Sequence, residues 1–419
     1  MISKECFVYL QLPQSLEVMP CARFVRESTR DGAFVGRLIY GRSFLGREDA
    51  VALDPFQLPL SPREFRTAML NGMFGVLRDA APDAWGRRVI EHRMGHQDLD
   101  EFDYLTAAGD DRAGALSFGS TAVPPRRRAI YRSVMQLADL RKAAAVVEEE
   151  RQEDPLAQQV AELLAPGSSM GGARPKAVVE DEAGLWIAKF PTRGDRWNNA
   201  PVEAAMLELA SRCGIRVPKT RIERVAGESI LLVRRFDRAR VDGGYHRYRM
   251  VSALTVLDAE ESAVDRRNWS YVLLADEVQR WSAAPVRDKH ELFRRVVLNA
   301  LISNTDDHPR NHALIAPGVE WMLAPAYDLT PSPMHAIERR DLALACGRFG
   351  RVARRDNILS QAPRFGLSPE DADAVIGEMK QLVNAEWRKT VRAAGGSEAD
   401  VGAVERAFAY EGFEYSTGG

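Results

Sequence analysis

The apolar residues change their period partway along the chain, and that change limits the fold more than any other feature. Up to about residue 75 the runs CFVYLQL, ARFVRE and GAFVGRLIYG are short and strand-like, broken by Pro, Gly and Asp. GVLRDAAPDAWGRRVIEHR (75–93) reads as one helical segment. KAVVE and LWIAKF then read as two strands joined by the turn DEAG, and TRIERV and SILLVRRF as a hairpin around AGE. Between them, Val202, Ala205, Met206, Leu209, Ala210 and Cys213 keep helical spacing, and Gly214 is placed to end that helix. From about residue 252 almost everything has the helical period, apart from a short hairpin formed by HALI and EWML over APGV. The expectation is an α+β protein, with β-rich parts first and an all-α C-terminal part.

A chain of 419 residues exceeds one ordinary core. Proline and arginine in TAVPPRRRA (121–129) mark one boundary. The divisions expected are 1–120, 121–255 and 256–419. Residues 134–164, including ADLRKAAAVVEEE and LAQQVAELL, read as helix, followed by the glycine–serine loop PGSSMGG (166–172). With 45% hydrophobic and 28% charged residues, the composition is that of a folded soluble protein. A net charge of −2 gives no global drive toward nucleic acid. The four cysteines, Cys6, Cys21, Cys213 and Cys346, form no CxxC pair and read as reduced thiols of a cytoplasmic protein. The apolar runs are too short for a signal peptide or a membrane span.

The order of the parts points to chemistry. A Gly-rich loop is followed by a strand, a strand carrying Lys189, a helix carrying Glu203, a hairpin, helices, the polar loop NTDDHPRNHALI (304–315), a hairpin and Ala326-Tyr327-Asp328. Phosphoryl transfer needs backbone donors and a cation for phosphates, oxygen ligands for magnesium, and a carboxylate to orient the attacking hydroxyl. GSSMGG precedes a strand, so a Walker-type loop opening a helix is a poor fit; a flap over phosphates and a plain linker both stay open. Lys189 needs a partner if its strand is buried, and Glu203 in the first turn of the next helix is a candidate; an exposed edge lysine is the bland alternative. Asp306 and Asn311 stand five apart, the offset of a kinase catalytic loop, and Asp328 lies where a further magnesium ligand would follow. His308 and His312 have a zinc-like spacing, but Pro309 and the lack of an HExxH glutamate weaken it. A solvated turn capping a helix is the remaining alternative.

The same pieces resemble the HipA family of bacterial Ser/Thr kinases, the toxins of type II toxin–antitoxin modules. The matching stretches are GVLRDAAPDAWGRR (75–88), SSMGGARPKA (168–177), LWIAKFP (185–191), EAAMLELASRCGI (203–215), LLVRRFDR (231–238), NTDDHPRNHAL (304–314) and LAPAYDLTPS (323–332). The resemblance implies a kinase-like bilobal α+β fold. It implies Asp306 as catalytic base, with Asn311 and Asp328 holding Mg2+. Lys189 would contact the ATP phosphates, supported by Glu203, with His308 and Arg310 on the phosphate side. Ser169, Gly171, Gly172, Ala173, Arg174 and Lys176 would belong to the phosphate-side loop. Arg234, Arg235, Phe236 and Tyr327 would line the nucleotide. Arg234 stands where relatives often have an acid, so its backbone is the expected contact. Autophosphorylation would fall on Ser169 or its neighbour Ser168, and a dianion there would be repelled by the ATP phosphates.

The activity implied is ATP- and magnesium-dependent phosphorylation of a protein, such as an aminoacyl-tRNA synthetase, that arrests growth. The partner implied is a HipB-like helix-turn-helix antitoxin that contacts operator DNA; no membrane is involved. Two other classes stay open: a small-molecule phosphotransferase of the aminoglycoside or choline type, and a catalytically weak corepressor.

Overall fold

The computed structural model describes residues 3–95, 98–124, 131–150, 164, 172–261 and 266–417. By packing, the chain divides into two compact units, and each contains separated stretches of sequence. The first comprises Met1–Ala188, Asp237–Val251 and Ile315–Val319; the second comprises Lys189–Phe236, Ser252–Leu314 and Glu320–Gly419. This division cuts at Lys189, inside the 121–255 region expected from the sequence. Packing gathers segments that chain order keeps apart.

In the first unit, β1 (Ser3–Gln11), β2 (Val18–Ser28), β3 (Phe34–Tyr40), β4 (Phe65–Thr67) and β5 (Leu116–Gly119) form an antiparallel sheet in the order β4-β3-β2-β1-β5. Pro20, which has no N–H for the ladder, lies at an irregularity where the β1–β2 register shifts between Val8 and Tyr9. The stretch 75–93 is two helices, Gly75–Asp79 and Ala84–Met94, where the sequence suggested one. Pro82 disfavours helical backbone at Ala81, and Asp83 caps the second helix by accepting from Gly86 N at 2.9 Å. The helix Leu137–Glu148 realises ADLRKAAAVVE; residues 156–163 of LAQQVAELL lie outside the described residues. β6 (Arg132–Ser133) runs parallel to β7 (Lys176–Asp181), which is followed by β8 (Gly184–Lys189). All six β8 residues are buried, so no face of it meets water and an exposed edge lysine is excluded.

In the second unit, β9 (Thr220–Val225) and β10 (Glu228–Arg234) pair across a two-residue turn, Ala226-Gly227. Both turn residues have positive φ, 51° and 86°, the left-handed pair that matches strand twist in a tight hairpin. The helix Asn199–Arg212 buries Val202, Ala205, Met206, Leu209 and Ala210 and packs on Pro369–Ala393. It ends at Cys213, and Gly214 follows at φ 77°. Glu203 lies in its second turn rather than its first, since the helix begins at Asn199. The helix Pro285–Leu301 packs on Tyr271–Trp281, and from Arg295 to Leu301 it is buried throughout.

The C-terminal part is less helical than its sequence suggested. Residues 324–354 contain no helix. Their backbone is held by isolated bridges, such as Asp341 with Val352, and by the buried Arg340. Its guanidinium donates to the carbonyls of Ala336, Arg406, Ala407 and Ala409. The four cysteines are buried thiols, and burial pushes Cys6 and Cys346 up to about 12 and Cys213 to about 11. Among the described residues no helix is long and apolar enough to cross a membrane.

Candidate active site

Lys189 ends a strand with no wet face, so its ammonium must find acids. Its Nζ lies 2.6 Å from Glu203 Oε1 and 2.7 Å from Asp328 Oδ1. Burial alone would depress the Lys189 pKa; the charges of Asp328 and Glu203 outweigh it and hold the ammonium above its ordinary range. Glu203 is buried with it, while the Asp328 side chain is 26% exposed. Asp328 has φ 59°, a left-handed backbone that few side chains other than Asn and Asp adopt readily.

The polar loop leaves the buried end of Pro285–Leu301. Asp306 is solvent-exposed, and its backbone carbonyl accepts from His308 N at 2.8 Å and from Asn311 Nδ2 at 3.3 Å. Pro309–Asn311 forms a single 3-10 turn, closed by Asn311 N donating to His308 O at 2.9 Å. Desolvation raises the Asp306 carboxyl pKa; the nearby His308 charge opposes it, and the charges of Asp328 and Asp307 add to it. A carboxylate whose pKa is raised is a stronger proton acceptor.

The residues present fit magnesium. Asn311 is buried, its Nδ2 is used by the loop, and its Oδ1 has no hydrogen-bond partner. A buried amide oxygen without a partner is costly unless something fills it. Asp328 supplies a second hard oxygen donor. Among the described residues no three His, Cys, Asp or Glu side chains gather to hold a metal ion. Two protein oxygens completed by phosphates and water suit magnesium better than an all-protein cage. The zinc spacing leads elsewhere: His312 Nε2 donates to Asp307 Oδ2 at 2.7 Å inside the core.

The other expected residues fall in varied places. Tyr327 stacks against Phe236 at 5.5 Å and donates to Arg310 O at 2.6 Å, joining the segment before Asp328 to the polar loop. Arg234 N donates to Lys219 O at 2.8 Å, and Arg235 is buried. Arg310 turns to Glu261, 2.9 Å away. Gly172, Ala173 and Arg174 lead into β7, with Gly172 at φ 85°. Lys176 is buried at its start and paired with Asp83 at 2.6 Å. Ser168, Ser169 and Gly171 lie outside the described residues.

Sequence reasoning missed what lies beneath the loop. Asp307 is buried and accepts through Oδ2 from Tyr271 Oη, from Asn299 Nδ2 at 2.6 Å and from His312 Nε2. Asn299 Oδ1 in turn accepts from Asn304 Nδ2 at 3.0 Å. These bonds fix the backbone on either side of Asp306. Burial would raise the Asp307 pKa, but the His312 charge and the converging donors hold it below the usual carboxylate range. The only sequence signal was the doubled Asp306-Asp307; that one faces out and the other in depends on the fold.

Comparison with known proteins identifies the family. The profile of the HipA-like C-terminal domain matches residues 168–387, more than half of the chain, and that of the HipA N-terminal domain matches residues 20–119. Two Sinorhizobium fredii proteins are similar over most of their length. One, named "Putative kinase Y4mE", is 24% identical over 80% of this chain and 81% of its own. The other, named "Putative kinase Y4dM", is 27% identical over 73% and 74%. Among solved structures, HipA from the Shewanella oneidensis MR-1 complex of HipA, HipB and operator DNA superposes with a TM-score of 0.67 at 18% identity. That match covers 97% of this chain and 98% of the other, and it extends the likeness of fold over nearly the whole molecule. With both domain profiles matched in order, the chain belongs to the HipA family.

Proposed function

We propose that the chain is a magnesium- and ATP-dependent protein Ser/Thr kinase, the toxin of a HipBA-type module. The observation that carries this is Lys189, buried and shared between Glu203 and the partly exposed Asp328. Such a lysine can keep Glu203 and turn its remaining donors to phosphate oxygens. Asp306, exposed at the tip of a braced loop, orients the attacking hydroxyl and accepts its proton. Asn311 Oδ1 and Asp328 would hold magnesium, which when bound would neutralise charge on the phosphates. Tyr327 and Phe236 offer an aromatic surface to the base. The kinase names of the two Sinorhizobium relatives support the class.

The Shewanella HipA, assembled with HipB and operator DNA, supports a HipB-like antitoxin as partner, with DNA contacted mainly through it. The substrate class in this reading is a translation component such as an aminoacyl-tRNA synthetase, and Ser168 or Ser169 is the site of self-phosphorylation. The test is intact mass after incubation with ATP and magnesium, beside Asp306→Asn and Asp328→Asn. One added phosphate on the wild type, mapped to Ser168 or Ser169 and missing from both variants, is the expected result. A wild-type chain that binds no ATP in a direct titration overturns the reading.

A further inference from the structure

The motif Pro82-Asp83-Ala84-Trp85-Gly86-Arg87-Arg88 takes no part in the chemistry above, yet its residues are tightly determined. Asp83 caps the helix Ala84–Met94 with Oδ1 and takes Lys176 Nζ on Oδ2 at 2.6 Å. Trp85 Nε1 donates to the backbone carbonyl of the same lysine at 2.9 Å. A Cβ on Gly86 would stand 2.8 Å from Pro82 Cβ, so only glycine lets the helix begin there without a shift. Arg87 pairs through both terminal nitrogens with Glu101, at 2.8 and 2.7 Å, holding the helix to Glu101–Ala107. Lys176 itself donates back to Gly172 O at 2.9 Å. The lysine side chain is 1% exposed and that of Asp83 is 5% exposed.

We infer that Asp83 and Trp85 are positioning residues for the kinase: they hold Lys176, and Lys176 holds Gly172–Lys176, the exit of the glycine loop. The inference rests on the proposed function and gives Lys176 a supporting role in the phosphate-side loop where the resemblance places it. A lysine this enclosed, with its charge on a helix-capping aspartate and a further donor on Gly172 O, works as a pin on the loop. The 82–88 motif thereby sets the backbone of residues 172–176, the segment that the resemblance assigns to the phosphate-side loop.

Two readouts on the full chain test this. Hydrogen exchange reads the pin without nucleotide: Asp83→Asn should speed exchange across 172–177 roughly tenfold or more, with the melting temperature kept as a control. Trp85→Phe, which removes the indole donor and part of the buried ring but keeps an aromatic side chain, should do so more weakly. Unchanged exchange in both overturns the pin. ATP kinetics read its consequence. Asp83→Asn and Lys176→Met should each raise KM for ATP roughly tenfold with kcat little changed, and the double variant should be no worse than either. If Asp83→Asn leaves KM unchanged while Lys176→Met raises it, Lys176 meets phosphate directly and the inference fails. A wild type that binds no ATP removes the proposed function and the nucleotide half of this inference, while the exchange result still decides the pin.

Discussion

Two lysines, at the start of β7 and the end of β8, show how one residue type takes two roles. Each is buried, and each sits 2.6 Å from an acid. Lys176 faces Asp83, already engaged as a helix cap, and both side chains are shut away. Lys189 faces one closed acid, Glu203, and one partly open acid, Asp328. The same contrast recurs in the polar loop, where Asp306 is exposed and Asp307 is buried under three donors. In each pair the closed member fixes backbone and the open member is able to change partners. For the lysines burial of the partner separates the two roles, and for the aspartates burial of the residue itself does.

The largest break in this contrast should come at the open lysine. Lys189→Met removes the cation proposed to meet the phosphates and should lower kcat by about 10² to 10³, roughly 3–4 kcal/mol of transition-state stabilisation. A loss under about fivefold in single-turnover transfer would erase the distinction from Lys176. At the closed aspartate the effect should fall on stability instead. Asp307→Asn breaks the buried pair with His312 and should cost about 3 kcal/mol in denaturant unfolding. Its pH dependence has a definite sign. The Asp307 pKa is lowered on folding, so its contribution is present above the unfolded carboxylate pKa of about 4 and is lost as pH falls through the lower folded value. The variant should therefore lose less stability than the wild type on acidification, and parallel acid limbs would contradict this.

The smallest effect concerns the open aspartate. The Asp306 carboxyl pKa is raised, so if Asp306 is the proposed base, kcat/KM should fall with acid around a midpoint above about 4. An acid limb at or below the ordinary aspartate value would show that Asp306 is not desolvated in the working enzyme.

The candidate residues of the site were legible from spacing. Asp306, Asn311 and Asp328 stood out because an acid, an amide and a second acid lie around a hairpin in the order that phosphoryl transfer requires. Gly214 as a helix stop and the Ala226-Gly227 turn were legible because each depends on backbone within a few residues. The break at Pro82-Asp83 was also written locally, in a proline followed by a capping residue, but the helical period on both sides hid it. The irregular stretch 324–354 was not legible, since its backbone partners, such as Ala407 and Ala409 with Arg340, lie far along the chain.

The sequence by itself determined most element types ahead of residue 324 and the order of the polar motifs on which the family resemblance rests. The element types follow from local backbone preference and from the period of apolar residues, and the motifs are read from residue identity and spacing. Only the tertiary structure decided which lysine is closed and which is open, that Asp307 lies under Asp306, and that Asp83 reaches Lys176 across 93 positions. A buried charge takes whichever partner the packing brings near, and packing joins residues that spacing does not relate.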